Sequence, residues 1–131
     1  MVELFHGYTY SGHPLAAAAA LATLDIYKDE GLFERAKALE GKFAEAMMSL
    51  RSKPNVVDIR TVGLLCGIDL EPIAGKPGVR GYEAIERLYH DLNLYVRVGM
   101  DTLIVAPPLI ATEADIAEIR DGIAKVLKLV A

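Results

Sequence analysis

Two stretches of this 131-residue chain carry residue types suited to holding an anionic small molecule. The first is Phe5-His6-Gly7-Tyr8-Thr9-Tyr10-Ser11-Gly12-His13-Pro14, which sets hydroxyls and glycines in front of a helix start. A helix N-terminus offers unpaired backbone N–H groups and the positive end of the helix dipole, so hydroxyls placed just before it can add bonds to a phosphate or carboxylate. The alternative for Ser11 or Thr9 is a cap or a turn and nothing more. The second stretch is Leu94-Tyr95-Val96-Arg97, followed by Val98-Gly99-Met100-Asp101-Thr102 and an apolar run over residues 103–109. It reads as a hairpin that delivers an arginine. A guanidinium is always charged and its planar fork matches a carboxylate bidentately, so Arg97 is a candidate carboxylate clamp, the alternative being a solvated strand-end arginine.

Other residue types offer little chemistry. His6, His13 and His90 do not fall at metal-ligand spacing, and Cys66, with no histidine near it, reads as a small buried hydrophobe. Lysines 28, 37, 42, 53, 76, 125 and 128 lie at helix ends, on helix faces or in loops. A lysine that bonds a carbonyl must be desolvated enough to be a neutral amine, and none of the seven has such surroundings. Gly75, Gly78 and Gly81 superficially resemble a nucleotide loop but lack its pattern and its flanking strand and helix, so no phosphate role is assigned to them.

The elements that position Thr9 and Arg97 follow from periodicity. Pro14 to Lys28 is almost continuously apolar, with an alanine block at residues 16–20, and proline at the first position favours a helix. With no polar face before Asp25, that helix calls for cover on most sides, which fits a domain or subunit interface. A second helix spans Leu32 to Leu50, with Leu32, Ala36, Leu39, Phe43, Met47 and Leu50 inward and Glu34, Lys37, Glu45 and Arg51 outward. Two strands, Val57–Thr61 and Leu64–Leu70, join by a tight turn at Gly63. Residues 71–81 read as a loop, and a third helix carries Tyr82, Ile85, Leu88, Tyr89 and Leu92 on one face. After the Arg97 hairpin, Thr112-Glu113-Ala114-Asp115 starts a last helix whose Ile116, Ile119, Ile123, Val126 and Val130 face inward. The expected fold class is α+β, with a small, mostly antiparallel sheet covered on one face by helices.

Composition sets further limits. The length fits one domain of ordinary size. An apolar content of 53% and a mean hydropathy of +0.28 exceed what such a domain usually shows, so part of the apolar surface is expected against a partner. A net charge of −4, with 14 dispersed basic residues, argues against nucleic acid as that partner. A single cysteine excludes an internal disulfide, no stretch is apolar enough to span a membrane, and no secretory leader is evident, so a cytoplasmic chain is expected.

Three motifs in order, Gly7 to Pro14 leading into the alanine-rich helix, Asp58-Ile59-Arg60-Thr61-Val62-Gly63-Leu64, and Val96-Arg97 through Asp101 to Pro107-Pro108-Leu109, make the chain resemble the C-terminal part of class III pyridoxal-phosphate-dependent aminotransferases. Within them it is most similar to the ω-amino acid (β-alanine):pyruvate transaminases. The resemblance implies the small C-terminal domain of a fold-type I homodimer, residues 31–131, preceded by a cofactor-phosphate loop and interface helix over residues 1–30. It implies that Thr9 binds the phosphate of pyridoxal 5'-phosphate in the neighbouring subunit's site, that Tyr8 adds backbone contact and pocket wall, and that Arg97 binds the substrate carboxylate and swings aside for uncharged side chains. It also implies that the cofactor-bearing lysine and the large domain around it lie outside these residues. The chain is then expected to be an inactive fragment of an active transaminase. The competing expectation is a stand-alone, non-catalytic small-molecule-binding or regulatory α+β module. One departure from the family pattern concerns the hairpin, where Met100 stands in place of the usual glycine before Asp101. Methionine disfavours positive φ, so the expectation is either that Gly99 takes the left-handed conformation or that the hairpin is displaced, which leaves the aim of Arg97 open.

Overall fold

Pro14 at the first helical position and the alanine block start α1 (Pro14–Asp29), and Gly31, at φ 58°, breaks the chain away beyond its end. The computed structural model describes residues 9–130. They fall into two compact units, one ending at Leu32 and the other running from Phe33. No residue of α1 is buried, and Leu15, Leu21, Leu24 and Ile26 are all exposed.

In the second unit, α2 (Leu32–Met48) buries Phe43 and Met47, and the chain then tightens into a 3₁₀ turn at Ser49–Ser52 that buries Leu50. The expected helix to Leu50 therefore stops two residues earlier. Ser49 Oγ donates to the Ala46 carbonyl at 2.6 Å, a local competitor for helical bonding. Strands β1 (Val56–Val62) and β2 (Leu65–Leu70) pair across the two-residue link Gly63-Leu64, with Gly63 at φ 54°. Helix α3 (Val79–Leu92) precedes β3 (Arg97–Gly99) and β4 (Thr102–Val105), and α4 (Glu113–Val126) closes the order. The four strands form one antiparallel sheet in the order β1-β2-β4-β3. The expected α+β class and element order are both present.

Alternation along the strands sorts the sheet into two faces. Ile59, Ile68 and Leu103 stand side by side on one face and are buried with Phe43 and Met47 of α2, Ala84 and Leu88 of α3, and Ile116 and Ile123 of α4. The opposite face is open, and Val62 and Leu65 on it are exposed.

Helix α3 differs from expectation at its start. It begins at Val79, so the loop ends three residues earlier than its glycines suggested, and Gly81 lies within the first helical turn. Tyr82 and Tyr89 share the spacing of Leu88 but are exposed, because the buried stripe runs through Gly81, Ala84 and Leu88 and leaves the tyrosines at its margin. Tyr89 meets Tyr95 edge-on there, ring centroids 6.3 Å apart.

Helix α4 starts with a capping box. The Asp115 amide donates to Thr112 Oγ1, and the Asp115 carboxylate accepts from the Thr112 amide and hydroxyl. Those bonds hold the Asp115 carboxyl below the ordinary carboxylate value. Losing a cap of this kind usually costs a few degrees, so Thr112→Ala should lower Tm by about 4 °C near neutral pH. Because the folded-state value is the depressed one, the contribution is complete above the ordinary carboxylate range and is lost as pH falls through the folded-state value. The Tm difference between variant and parent should therefore shrink in acid, which thermal scans at several pH values would read.

Candidate functional site

Sheet register places Arg97 in a row of four. Arg60, Gly67, Ile104 and Arg97 are successive partners across β1, β2, β4 and β3, and Asp58, Asp69, Thr102 and Gly99 form the next row on the same open face. The two arginines stand in opposite states. Arg60 Nη2 donates to Asp69 Oδ1 at 2.9 Å, and its Nη1 donates to Asp69 Oδ2 and, at 3.1 Å, to Asp58 Oδ2. Thr102 Oγ1 adds a 2.8 Å bond to Asp69. The bonds from Arg60 hold the Asp69 carboxyl below its usual range, and the same bonds raise the Arg60 pKa further. Gly67 lies under this arrangement, where a Cβ would just touch Arg60 Nη2 at 3.4 Å.

Arg97, by contrast, is exposed and has no hydrogen-bond or ion-pair partner among the described residues. Both aspartates of the face are already committed to Arg60, which leaves Arg97 as a cation with its fork free. An unpaired guanidinium held on a strand can receive a carboxylate bidentately without breaking an internal bond.

The aim of Arg97 is set by the β3–β4 turn. Gly99 pairs with Thr102, so the loop consists of Met100 and Asp101 alone. Met100 itself takes the left-handed conformation, at φ 57°, and Gly99 does not, which corrects the expectation of a left-handed Gly99. A side chain at such φ costs about 1–2 kcal/mol. The compensation lies in Asp101, which is buried: Oδ2 accepts from the Gly78 amide at 2.5 Å, Oδ1 from the Gly81 amide at 3.0 Å, and its carbonyl from the Leu70 amide at 2.8 Å. Local sequence reasoning missed this contact. The signal was the pair Gly78 and Gly81, at the N-cap and third positions of α3, where two residues without side chains leave a helix unable to cap itself.

Thr9 belongs to the first unit. It is exposed at the start of a turn over residues 9–12, with Gly12 at φ 75°, and its hydroxyl has no partner among the described residues. The N-cap of α1 is His13, which makes no side-chain cap, so neither Thr9 nor Ser11 caps the helix. Tyr8 lies outside the described residues.

Among the described residues, groups for covalent chemistry are not assembled. Six of the seven lysines are exposed and Lys53 is half-buried. Cys66 is buried against the core, and burial pushes its thiol up to about 11, which suits a packing residue and not a nucleophile. Among the described residues, no three His, Cys, Asp or Glu side chains are grouped to hold a metal, and no helix is long and apolar enough to cross a membrane.

Comparison with known proteins agrees with the arrangement. Residues 1–127 match the family model described as aminotransferase class-III. The chain is 48% identical over 126 residues to an omega-aminotransferase of Caulobacter vibrioides, covering 96% of this chain and 28% of that protein. It is 38% identical over 130 residues to a beta-alanine–pyruvate aminotransferase of Pseudomonas aeruginosa, covering 99% and 29%. Among solved structures it resembles the omega transaminase from Pseudomonas jessenii in complex with PMP, with TM-score 0.85 at 29% identity over 95% of this chain and 29% of that one. The chain thus spans a little over a quarter of the length of these relatives. Class III aminotransferases are pyridoxal 5'-phosphate enzymes; Arg97 offers a guanidinium unpaired among the described residues, but none of the seven lysines is desolvated enough to carry that cofactor. A family match that runs almost from end to end, together with this fold, means that the chain belongs to the class III aminotransferases.

Proposed function

We propose that these residues are the C-terminal part of a transaminase that moves an amino group from an ω-amino acid or amine to pyruvate or a similar 2-oxo acid. The observation that carries the reading is Arg97, unpaired among the described residues, on the same open sheet face as the fully paired Arg60 but on the opposite edge strand. The names of the relatives, omega-aminotransferase and beta-alanine–pyruvate aminotransferase, support the substrate class. When bound, pyridoxal 5'-phosphate supplies the electron sink for the proton shift. Within this chain, Arg97 orients the acid by its carboxylate, and its free fork lets it move away when an uncharged side chain enters. Thr9 offers a hydroxyl to the cofactor phosphate across the interface of a cytoplasmic homodimer. Helix α1 lies in that interface, which accounts for its exposed leucines. A stand-alone binding module gives no reason for a sixteen-residue helix with no buried residue.

The chain by itself is inactive in this reading, because the lysine that carries the cofactor lies in the large domain. Mixing it with pyridoxal phosphate, reducing with borohydride and weighing the product should give no stoichiometric single-site adduct. One full adduct on a single lysine would contradict the reading. In the complete enzyme, Thr9→Ala should weaken cofactor retention about tenfold, the low end of what one hydrogen bond to a charged group contributes. Equilibrium dialysis against pyridoxal phosphate reads this, and unchanged affinity would remove Thr9 from the site.

A further inference from the structure

Strand β3 has three residues, lies at the sheet edge and pairs on one side only, with β4. An arginine on such a strand points wherever the hairpin tip allows. The tip is tied down by an unusual cap. Helix α3 has glycine at its N-cap and at its third position, so neither of its first amides can be capped from within the helix. Asp101, from the β3–β4 turn, takes both of these amides with its two carboxylate oxygens. These are the two donors that a capping box would satisfy, served here by a residue 20 and 23 positions away. The approach is close: a Cβ on Gly81 would overlap the Met100 carbonyl oxygen and sit 2.9 Å from Val98 Cγ2. Val98 follows Arg97 directly.

We propose that Asp101 is a positioning residue for substrate binding, which fixes the direction of Arg97 by latching the β3–β4 turn to the start of α3, with Gly81 as the gap that lets the turn close. The inference rests on the reading of Arg97 as the carboxylate grip. Asparagine at position 101 has one acceptor oxygen, and its amide would face a backbone N–H donor to donor, so Asp101→Asn opens one side of the latch while keeping the shape.

The test is a double-mutant cycle in the complete enzyme, with steady-state kinetics on pyruvate and on a neutral aldehyde such as butanal. Arg97→Ala alone should raise KM for pyruvate selectively. Asp101→Asn should raise KM for pyruvate about fivefold, with kcat and the KM for butanal within twofold of the parent. In the Arg97→Ala background it should add less than twofold to the pyruvate KM, since a residue acting through Arg97 has nothing left to aim. If Asp101→Asn does not yield soluble enzyme, Asp101→Glu, which keeps both acceptors but sets them one methylene further from the turn and so shifts it, takes its place in the same cycle with the same expected pattern. Equal effects on both acceptors, no effect, or a full additional loss without Arg97 would overturn the positioning role and leave the reading of Arg97 standing. Absence of acceptor selectivity in Arg97→Ala itself would overturn both.

Discussion

Replacing Arg97 with alanine in the complete enzyme should raise the Michaelis constant for pyruvate by about 10- to 100-fold and leave that for an uncharged amine donor nearly unchanged. A hydrogen bond to a charged group contributes about 1.5–3 kcal/mol, and each 1.4 kcal/mol is tenfold in binding. The effect should sit in substrate affinity because Arg97 forms no internal bond among the described residues, so its removal leaves no orphaned partner in the domain. Arg97→Lys keeps the charge but not the fork, and should recover only part of the loss. Arg60→Ala serves as the contrast. That arginine is engaged with Asp58 and Asp69, so its loss should register in the sheet and show no preference for carboxylate substrates. Acceptor and donor kinetics on the three variants decide the matter, and equal loss toward charged and uncharged substrates in Arg97→Ala would count against the grip.

Arg80→Ala should be the most damaging polar substitution for stability, at about 3 kcal/mol, or roughly 12 °C in Tm for a domain of this size. Arg80 is a buried cation whose bonds go to backbone carbonyls. Its Nε donates to Glu71 O and its Nη1 to Val130 O, each at 2.6 Å, joining the loop before α3 to the end of the chain beyond α4. Asn55 Nδ2 shares the Val130 carbonyl at 2.8 Å. Removing the guanidinium leaves Glu71 O without that donor and empties the space filled by the stem. Asn55→Ala breaks one neutral bond at the same carbonyl and puts alanine at φ 63°, which asparagine tolerates better, so it should cost about 1–2 kcal/mol. Denaturant unfolding of the two variants gives the comparison, and a loss below that of Asn55→Ala for Arg80→Ala would mean that the buried cation barely repays its own desolvation.

Elements with a local cause were legible in the residues. Strand alternation around Gly63, the Thr112–Asp115 cap and the proline-alanine start of α1 all act within a few positions, so periodicity finds them. The Arg60–Asp69 pair was legible in principle as well, because a two-residue link that sets Val62 against Leu65 brings Arg60 and Asp69 one step apart across the ladder. What escaped has a tertiary cause. Gly78 and Gly81 look like loop punctuation, yet one caps and the other enters α3, because the turn of a later hairpin needs the space above them. Met100 adopts a conformation its side chain disfavours because Asp101 holds the turn from the other side. Tyr82 and Tyr89 satisfy helical spacing, but the stripe that packs is shifted toward the smaller Gly81 and Ala84. Thr9 and Arg97 were picked out by residue type and family resemblance, and their free polar groups agree with binding a ligand from outside the chain.

The most direct test of the account is a crystal structure of the complete enzyme with cofactor and a carboxylate-bearing acceptor bound. The account predicts the Arg97 fork against the substrate carboxylate, at about 2.7–2.9 Å in a two-bond arrangement, with Thr9 of the other subunit at the cofactor phosphate. A substrate carboxylate held by other residues, with Arg97 turned to solvent, would contradict it.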